Sequence, residues 1–348
     1  MNSRSLSILD VGHGNSAILD TGSDKIVIDC GRKITLLHHL EYYGISYIDH
    51  ILVSHADQDH VGGVIDVLLD DSIGVNELHI NPSPKKSQET DFFKYVISAV
   101  KKSYYESGLS VNSSVTLDES AYISSSETDI KVLFPPSYLN LAAEGGMADD
   151  RTLTPNQLSV VVRIDDQGHP VALFPGDIGY RGLEEIHEAG LSLEADILVF
   201  PHHGGNPETG DPKNFARDLL DWVKPQIVLF SISSNRQTPR TDILEGIEES
   251  NSSPHILCTQ LSTHCVADRN QEESGHLLPP RVSKSYHGAD YCGGTIKVPL
   301  DGENTDYDKV IGCHSSFLDN FVPEAACRSF CKHLGGIQAD PTQPNAGT

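Results

Sequence analysis

The sequence predicts a mixed α/β fold in which layers of sheet are covered by helices. Short apolar runs rich in β-branched residues alternate with amphipathic stretches, early in the chain and again between residues 130 and 250. Clusters of Gly, Asp, Asn and Ser punctuate the runs as turns. Taken in order, residues 6–11, 16–19 and 25–29 have the strand pattern, with turns at 12–15 and 21–24. Residues 34–43 have helical spacing, 50–54 form the next strand, and 61–69 a helix directly after a polar loop. Strands recur at 130–134, 158–164, 171–174, 197–200 and 226–232, and helices near 181–189, 215–222 and 242–250. Periodicity leaves open whether the strands form one sheet or two. The Ser-rich stretch 107–128 and the Gly/Asp-rich stretch 144–156 read as long loops or an insertion, so that 107–156 is partly loop. The pattern supports one domain over 1–300 and a C-terminal extension over 301–348, fraying in a polar tail from 338.

A chain of 348 residues can bury a substantial core, and 38% hydrophobic residues exclude a mainly disordered protein. No run of about 18 apolar residues is present to cross a bilayer, and the N-terminal segment lacks the long apolar stretch of a secretory signal. Seven cysteines, an odd number in a long chain, argue against a secreted disulfide scaffold. A soluble, cytoplasmic protein with no membrane association is expected. The 49 acidic and 25 basic side chains leave a net charge of −24, which repels polyanions over a Debye length of about 8 Å. No basic stripe is visible; Lys85-Lys86 and Lys101-Lys102 are isolated pairs. Strong free-standing nucleic-acid binding is therefore not expected, and long DNA would need metal ions, a local basic patch or a protein partner in a multi-component system.

The chemistry concentrates at three strand ends. Residues 51–53 are an apolar strand end followed by His55, Asp57, Asp59 and His60, four metal-competent side chains within six residues, and then Gly62 and Gly63. Residues 171–174 run into Pro175-Gly176-Asp177, and residues 197–200 into Pro201-His202-His203-Gly204-Gly205. Neutral imidazole nitrogens and carboxylate oxygens are ligands for zinc, manganese or iron. A Gly-Asp turn or a His pair alone is an ordinary surface feature. Three neighbouring strands delivering such groups would bring them to one rim of the fold.

With these segments the chain resembles the metallo-β-lactamase-fold hydrolase superfamily over roughly residues 5–300. It resembles more closely the ComEC-like branch, the soluble domain of the competence protein and its stand-alone relatives. The resembling segments are Leu9-Asp10-Val11-Gly12-His13-Gly14-Asn15-Ser16, Ile28-Asp29-Cys30-Gly31, residues 54–63, Asn156-Gln157-Leu158-Ser159, Phe174-Pro175-Gly176-Asp177 and Pro201-His202-His203-Gly204. The resemblance implies a four-layer αββα metallo-β-lactamase-like sandwich with a short Cys-containing C-terminal extension, and two divalent metal ions at its edge. It implies that His55 and Asp57 hold one metal, Asp59 and His60 the second, that Asp177 bridges them and that His202 completes the second site. Asp29 would orient the metal-binding loop, a role with a clear purpose for ligating rings. Asp57 stands where the general motif has a His, as in the ComEC-like branch. The His between the first motif and Gly-Asp has no counterpart, with Asn156 near its place, and Thr238 replaces a His in residues 235–239. Fewer imidazoles and an added carboxylate shift preference from Zn2+ toward Mn2+ or Mg2+.

A two-metal site that activates water implies hydrolysis. Asp59 is the candidate to orient that water or accept its proton, and His203 to donate to an oxyanion or leaving group, or else to pack beneath the loop. His13, in a Gly-flanked loop, is a candidate substrate contact. The resemblance favours a phosphodiesterase or nuclease, and the charge narrows substrates to short oligonucleotides, cyclic or linear nucleotides, or DNA presented by a partner. The alternatives are a hydrolase of a small ester, lactone or phosphocholine-type substrate, and a non-catalytic binding or regulatory subunit with a degenerate metal site. Cys258, Cys265 and Cys292 are candidates for a structural zinc, with Cys313-His314, Cys327, Cys331 and His333 beyond them. Their spacing matches no Cys-x2-Cys knuckle, and free buried thiols are the commoner explanation.

Overall fold

Two seven-stranded mixed sheets stack face to face in the computed structural model, which describes residues 4–265 and 291–329 apart from 33, 85, 87–90, 149–150 and 323. The first sheet contains β1 (Ser5–Ile8), β2 (Ser16–Asp20), β3 (Lys25–Cys30), β4 (Tyr47–Leu52), β5 (Gly74–His79) and β6 (Ser110–Asn112). The second contains β7 (Asp118–Ser125), β8 (Thr128–Phe134), β11 (Val161–Asp166), β12 (His169–Phe174), β13 (Ile197–Val199), β14 (Ile227–Phe230) and β15 (His255–Cys258). A two-residue ribbon of β9 (Met147–Ala148) and β10 (Arg151–Thr152) lies apart, and β16 (Ile296–Pro299) returns to pair with β1. Strand orders are 16-1-2-3-4-5-6 and 15-14-13-12-11-8-7.

Alternating side chains explain the layering. Leu6, Ile8, Ile26, Ile28 and Leu52 meet Val132, Val162, Ile164, Ala172 and Val199 in the apolar layer between the sheets. The opposite faces of the same strands are covered by helices. Val27 and Ile51 pack under α1 (Thr35–Tyr43), α3 (Val64–Leu69) and α4 (Asp91–Glu106). Leu173, Leu198 and Val228 pack under α6 (Tyr180–Glu188), α7 (Pro212–Val223) and α8 (Thr241–Glu249). In α7 the buried residues Phe215, Ala216, Leu219, Leu220 and Val223 form one helical stripe. The molecule is a four-layer αββα sandwich.

Two stretches that read as loop or tail carry regular structure. Within 107–156, β7 pairs antiparallel with β8, and α5 (Ser137–Ala142) follows. On β7, an edge strand, Ser120 and Ser124 are exposed while Ser125 is buried, so polar residues on both faces hide the alternation. Beyond residue 300, α9 (Asp308–Phe321) buries Phe317 and Leu318 in the outer layer of the second sheet, and the short α10 (Ala326–Ser329) follows. Cys331, His333 and the tail from 338 lie outside the described residues. No helix among the described residues is long and apolar enough to cross a membrane.

Candidate metal centre

β3 and β4 run parallel, as do β12 and β13, and the loops at their carboxyl ends meet at one rim. That rim is where open α/β sheets gather functional groups, because the loops leave the strands in a common direction. After β4 the chain passes Ser54, His55 and Asp57 and enters the one-turn helix α2 (Gln58–Val61), which carries Asp59 and His60.

Asp29 adopts a left-handed φ of 56°, which turns its carboxylate off the sheet and under this loop. It accepts from the Ser54 backbone N–H at 2.7 Å, from Ser54 Oγ at 2.9 Å and from His60 Nδ1 at 2.7 Å. Ser54 Oγ spends its proton on Asp29, so the Nδ1–H of His55, 3.0 Å away, donates to it. Ser159 Oγ stands 3.3 Å from the same nitrogen. Both rings are thereby fixed through Nδ1 with Nε2 directed inward. The Nε2 atoms of His55 and His60 are buried without a hydrogen-bond partner. Burying such atoms unpaired is costly, and it is relieved when a ligand occupies the space between them.

Asp177 closes this group from the other half of the molecule. Its backbone N–H donates to Ser159 Oγ at 3.0 Å and its Oδ1 accepts from the His202 backbone N–H at 2.9 Å. Oδ1 also lies 3.5 Å from His60 Nε2. The turn before it needs Gly176, whose φ is 55° and where a Cβ would collide with Ser159 Oγ and come within 2.8 Å of Ser54 Cβ. His55, His60 and Asp177 each offer a donor atom within 4.8 Å of the other two.

A second group of the same composition adjoins it: His13, Asp59 and His203. Asp59 Oδ2 is 3.4 Å from His13 Nε2 and 3.5 Å from His203 Nε2, and the His60 and His203 rings are 5.4 Å apart between centroids. His13 reaches the rim because Asp10 Oδ1 accepts from the Gly12 N–H and from Gln260 Nε2, while Ser231 Oγ donates to the Gly14 carbonyl. Gly14 in turn packs directly on the Asp59 carbonyl.

The electrostatics are those of a cation site. Burial works to lower the pKa of His60, but Asp177 and Asp29 on either side hold it well above the ordinary value. Burial works to raise Asp177, and His60 and His203 hold it well below the carboxylate range. Burial, reinforced by neighbouring imidazoles, pushes His55 and His13 down to about 4, so both rings are neutral and in the ligating form. Asp59 remains ionised: burial opposes this, and His203 and His60 outweigh it. The donor sets, two imidazoles and one carboxylate each, suit divalent metal ions.

The family model of the anti-Pycsar protein Apyc1 matches residues 10–77. The thioesterase pkgB of Emericella nidulans is 39% identical over 62 residues, 16% of this chain and 18% of that protein, so the match spans less than a fifth of the relative. Among solved structures, the metallo-β-lactamase fold protein YhfI from Bacillus subtilis is similar at 12% identity, covering 73% of this chain and 96% of its own, with a TM-score of 0.47. Tm1679, a metal-dependent hydrolase of the β-lactamase superfamily, is similar at 12% identity, with 73% and 95% coverage and a TM-score of 0.46. The short form of human tRNase Z is similar at 13% identity, with 66% and 93% coverage and a TM-score of 0.38.

Of the residues singled out in the sequence, His55, His60 and Asp177 stand in one group and Asp59 and His203 in the other. Asp57 stands in neither; Lys86 Nζ lies 2.8 Å from its Oδ1. His202 also stands in neither. Its backbone N–H holds Asp177, while its Nε2 is 3.2 Å from the Ile178 carbonyl and its Nδ1 is 3.8 Å from Asp177 Oδ2. The reason is a pair of left-handed residues, φ 52° at His202 and 54° at His203, which rotate the second ring into the centre. Asn156 points to the rim loop, its Nδ2 donating to Glu208 at 2.8 Å. Ser54, Ser159 and Asp10 are positioning residues that motif reasoning passed over, although all three lie in the resembling segments. Cys258, Cys265 and Cys292 are not joined in disulfides, and their thiols are pushed up by burial. Among the described residues they do not form a group of three donor atoms within 4.8 Å; Cys292 Sγ instead lies 3.1 Å from His314 Nε2.

Proposed function

We propose that the protein is a metal-dependent hydrolase that cleaves a phosphodiester in a nucleotide-sized substrate, with water held at a two-metal centre. One observation carries the reading: two adjoining sets of two imidazoles and a carboxylate, drawn from both halves of the chain, with buried ring nitrogens open toward the space they enclose. Two imidazoles per site favour zinc or manganese over magnesium. When bound, such a pair lowers the pKa of a shared water and withdraws charge from a phosphoryl or carbonyl oxygen. Asp59, ionised, would ligate through Oδ2, between His13 and His203, and its other carboxylate oxygen takes a proton from the attacking water. His203, 2% exposed, would ligate through Nε2, which faces Asp59, and its other ring nitrogen, Nδ1, is the proton donor to the leaving oxygen.

Local cations support an anionic substrate despite the net charge of −24. Arg236 is near enough to His13 to act on its titration, and Lys86 stands at Asp57. The first motif, with Asp57 in place of a His, supports the ComEC-like branch, and six cysteines outside any disulfide among the described residues support a reducing cytoplasm. A second reading, hydrolysis of a small ester, is favoured by the local similarity to a thioesterase.

Zinc- or manganese-loaded protein assayed on bis(p-nitrophenyl) phosphate, cyclic and linear dinucleotides, DNA, and oxygen and thio esters tests this. The expected result is phosphodiester turnover that Asp59→Ala abolishes. Turnover confined to esters would establish the second reading. Bound metal with no turnover on any substrate would overturn both and leave a binding subunit.

A further inference from the structure

A third group of metal-competent side chains, His50, Glu77 and His79, lies on β4 and β5, where the Val53 N–H just before the His55 loop donates to the His79 carbonyl at 2.9 Å. β4 and β5 are parallel, and their register sets His50 beside Glu77 and Leu52 beside His79. Side chains alternate along strands, so all four project to one face of the sheet. Leu52 belongs to the apolar layer between the sheets, which places the polar three at the border of that layer. There β7 of the other sheet brings Tyr122 against His79.

Two imidazoles and a carboxylate are costly occupants of such positions unless something pairs them. Part of the pairing is internal. Asn112 Nδ2 donates to the Tyr122 oxygen at 2.8 Å, and the same oxygen lies 3.0 Å from His79 Nδ1. A lone pair on that oxygen accepts the Nδ1–H, the tautomer that leaves the Nε2 lone pair of His79 facing His50 and Glu77. Burial at 4% exposure then keeps the His79 ring in place. The His50 Nδ1–H can donate to the Nε2 lone pair of His79 at 3.0 Å, whereas Glu77 Oε2 lies 3.6 Å from each of these nitrogens. The longer distances are beyond a hydrogen bond. They match two ligands of a common ion, since metal–ligand bonds of about 2.0–2.2 Å set neighbouring donors roughly 3.0–3.6 Å apart.

We infer that His50, Glu77 and His79 bind a divalent transition-metal ion of the zinc class, with Tyr122 and Asn112 orienting the His79 ring. Two imidazoles and one carboxylate are borderline donors, unlike the all-oxygen sets that suit magnesium or calcium. A hydroxyl held by an amide, behind the outer nitrogen of a ligating ring, is the support such rings use. The ion is structural. It ties β4, the strand that carries the His55–His60 loop, to β5. The inference does not depend on the hydrolytic reading, and no step of the reaction passes through this site.

Zinc is the probe. Metal-stripped full-length protein is titrated with zinc calorimetrically, and bound zinc per chain is measured after dialysis. Glu77→Gln and His50→Gln change half-buried side chains with little change of shape, so they carry the test if His79→Ala fails to fold. Each is expected to lose one zinc per chain or weaken that site at least tenfold. The same loss is expected in a His55→Ala/Asp177→Ala background, where zinc should still raise Tm until Glu77→Gln is added. Tyr122→Phe should weaken the site by about 10–100-fold without changing its stoichiometry. Unchanged stoichiometry and affinity in both Glu77→Gln and His50→Gln would overturn the inference.

Discussion

The two halves of the sandwich follow one plan and put it to different uses. In each sheet three antiparallel pairings are followed by three parallel ones, with β3 and β12 at the switch. Each switch strand leads to an aspartate, Asp29 or Asp177, and each following strand leads to histidines, His55 or His202 and His203. The difference is where the left-handed residue falls. In the first half it is Asp29 itself, and the carboxylate turns beneath the loop to grip Ser54 and the outer nitrogen of His60. In the second half it is Gly176, one residue earlier, and Asp177 faces the inner nitrogen of the same ring. One shift in a turn separates a carboxylate that orients a ligand from one that can act as a ligand.

Exchanging the two carboxylates for amides is the strongest way to break this comparison. Asp177→Asn should remove metal from the His55–His60 group and lower kcat/KM by more than about 10³-fold, about 4 kcal/mol of transition-state stabilisation. Asp29→Asn should cost about 10–100-fold in metal affinity and leave turnover at saturating metal. Equal losses in metal titrations of the two variants would show that the halves are not specialised as described.

Backbone strain gives the next largest effect. Gly176→Ala must hold φ near 55° against Ser159 and Ser54, and should lower unfolding free energy by about 1–3 kcal/mol in urea titrations. An unchanged midpoint would mean that the turn has room to relax.

The hairpins on the antiparallel side sharpen the comparison through pH. Asp165 in β11 is 3% exposed and is held by Arg163, Nε to Oδ1 at 2.7 Å, and by Lys131 at 2.7 Å. Burial works to raise its pKa, and these cations hold it below the ordinary value. Asp20 in β2, paired to Lys25 at 2.9 Å, is more open. A depressed carboxylate contributes stability that is complete above its unfolded pKa, near 4, and is lost as pH falls through the folded pKa. Asp165→Asn should therefore cost about 1–3 kcal/mol at pH 7, with the gap to wild type closing toward pH 3. Asp20→Asn should cost less than about 1 kcal/mol. Denaturation curves at pH 7, 5 and 3 decide it.

The smallest effect concerns helix ends. In α7 the Asp211 side chain accepts from the Asn214 N–H at 3.0 Å, whereas α1 begins after Ile34 with no side-chain cap. Asp211→Ala should lower Tm by a few degrees, about 1 kcal/mol.

Much of this layout is visible in the residues. The apolar runs that become β1–β4, β8 and β11–β14 are locally consistent, and four metal-competent side chains after one strand announce a site. The edges are harder to see. Gly74–His79, with Asn76, Glu77 and His79 breaking its apolar run, reads as a strand only once Leu78 is known to face helices and His79 the other sheet. The amphipathic α4 escapes for a similar reason: several of its aromatic residues, such as Tyr95 and Tyr105, are exposed and blur the stripe. His13 looks like an ordinary loop histidine until Asp10, Gln260 and Ser231 are seen to anchor its loop.

The sequence by itself determined the donor chemistry and its address: imidazoles and carboxylates, each just beyond the carboxyl end of an apolar strand, with glycine where the turn requires it. Strand pattern and turn chemistry are local, so neighbouring residues suffice to set them. Only the tertiary structure decided which of two adjacent histidines, His202 or His203, and which of two nearby aspartates, Asp57 or Asp59, stands in a donor group. Those choices depend on loop dihedrals and on partners up to 250 residues distant, as between Asp10 and Gln260, and no local pattern encodes them.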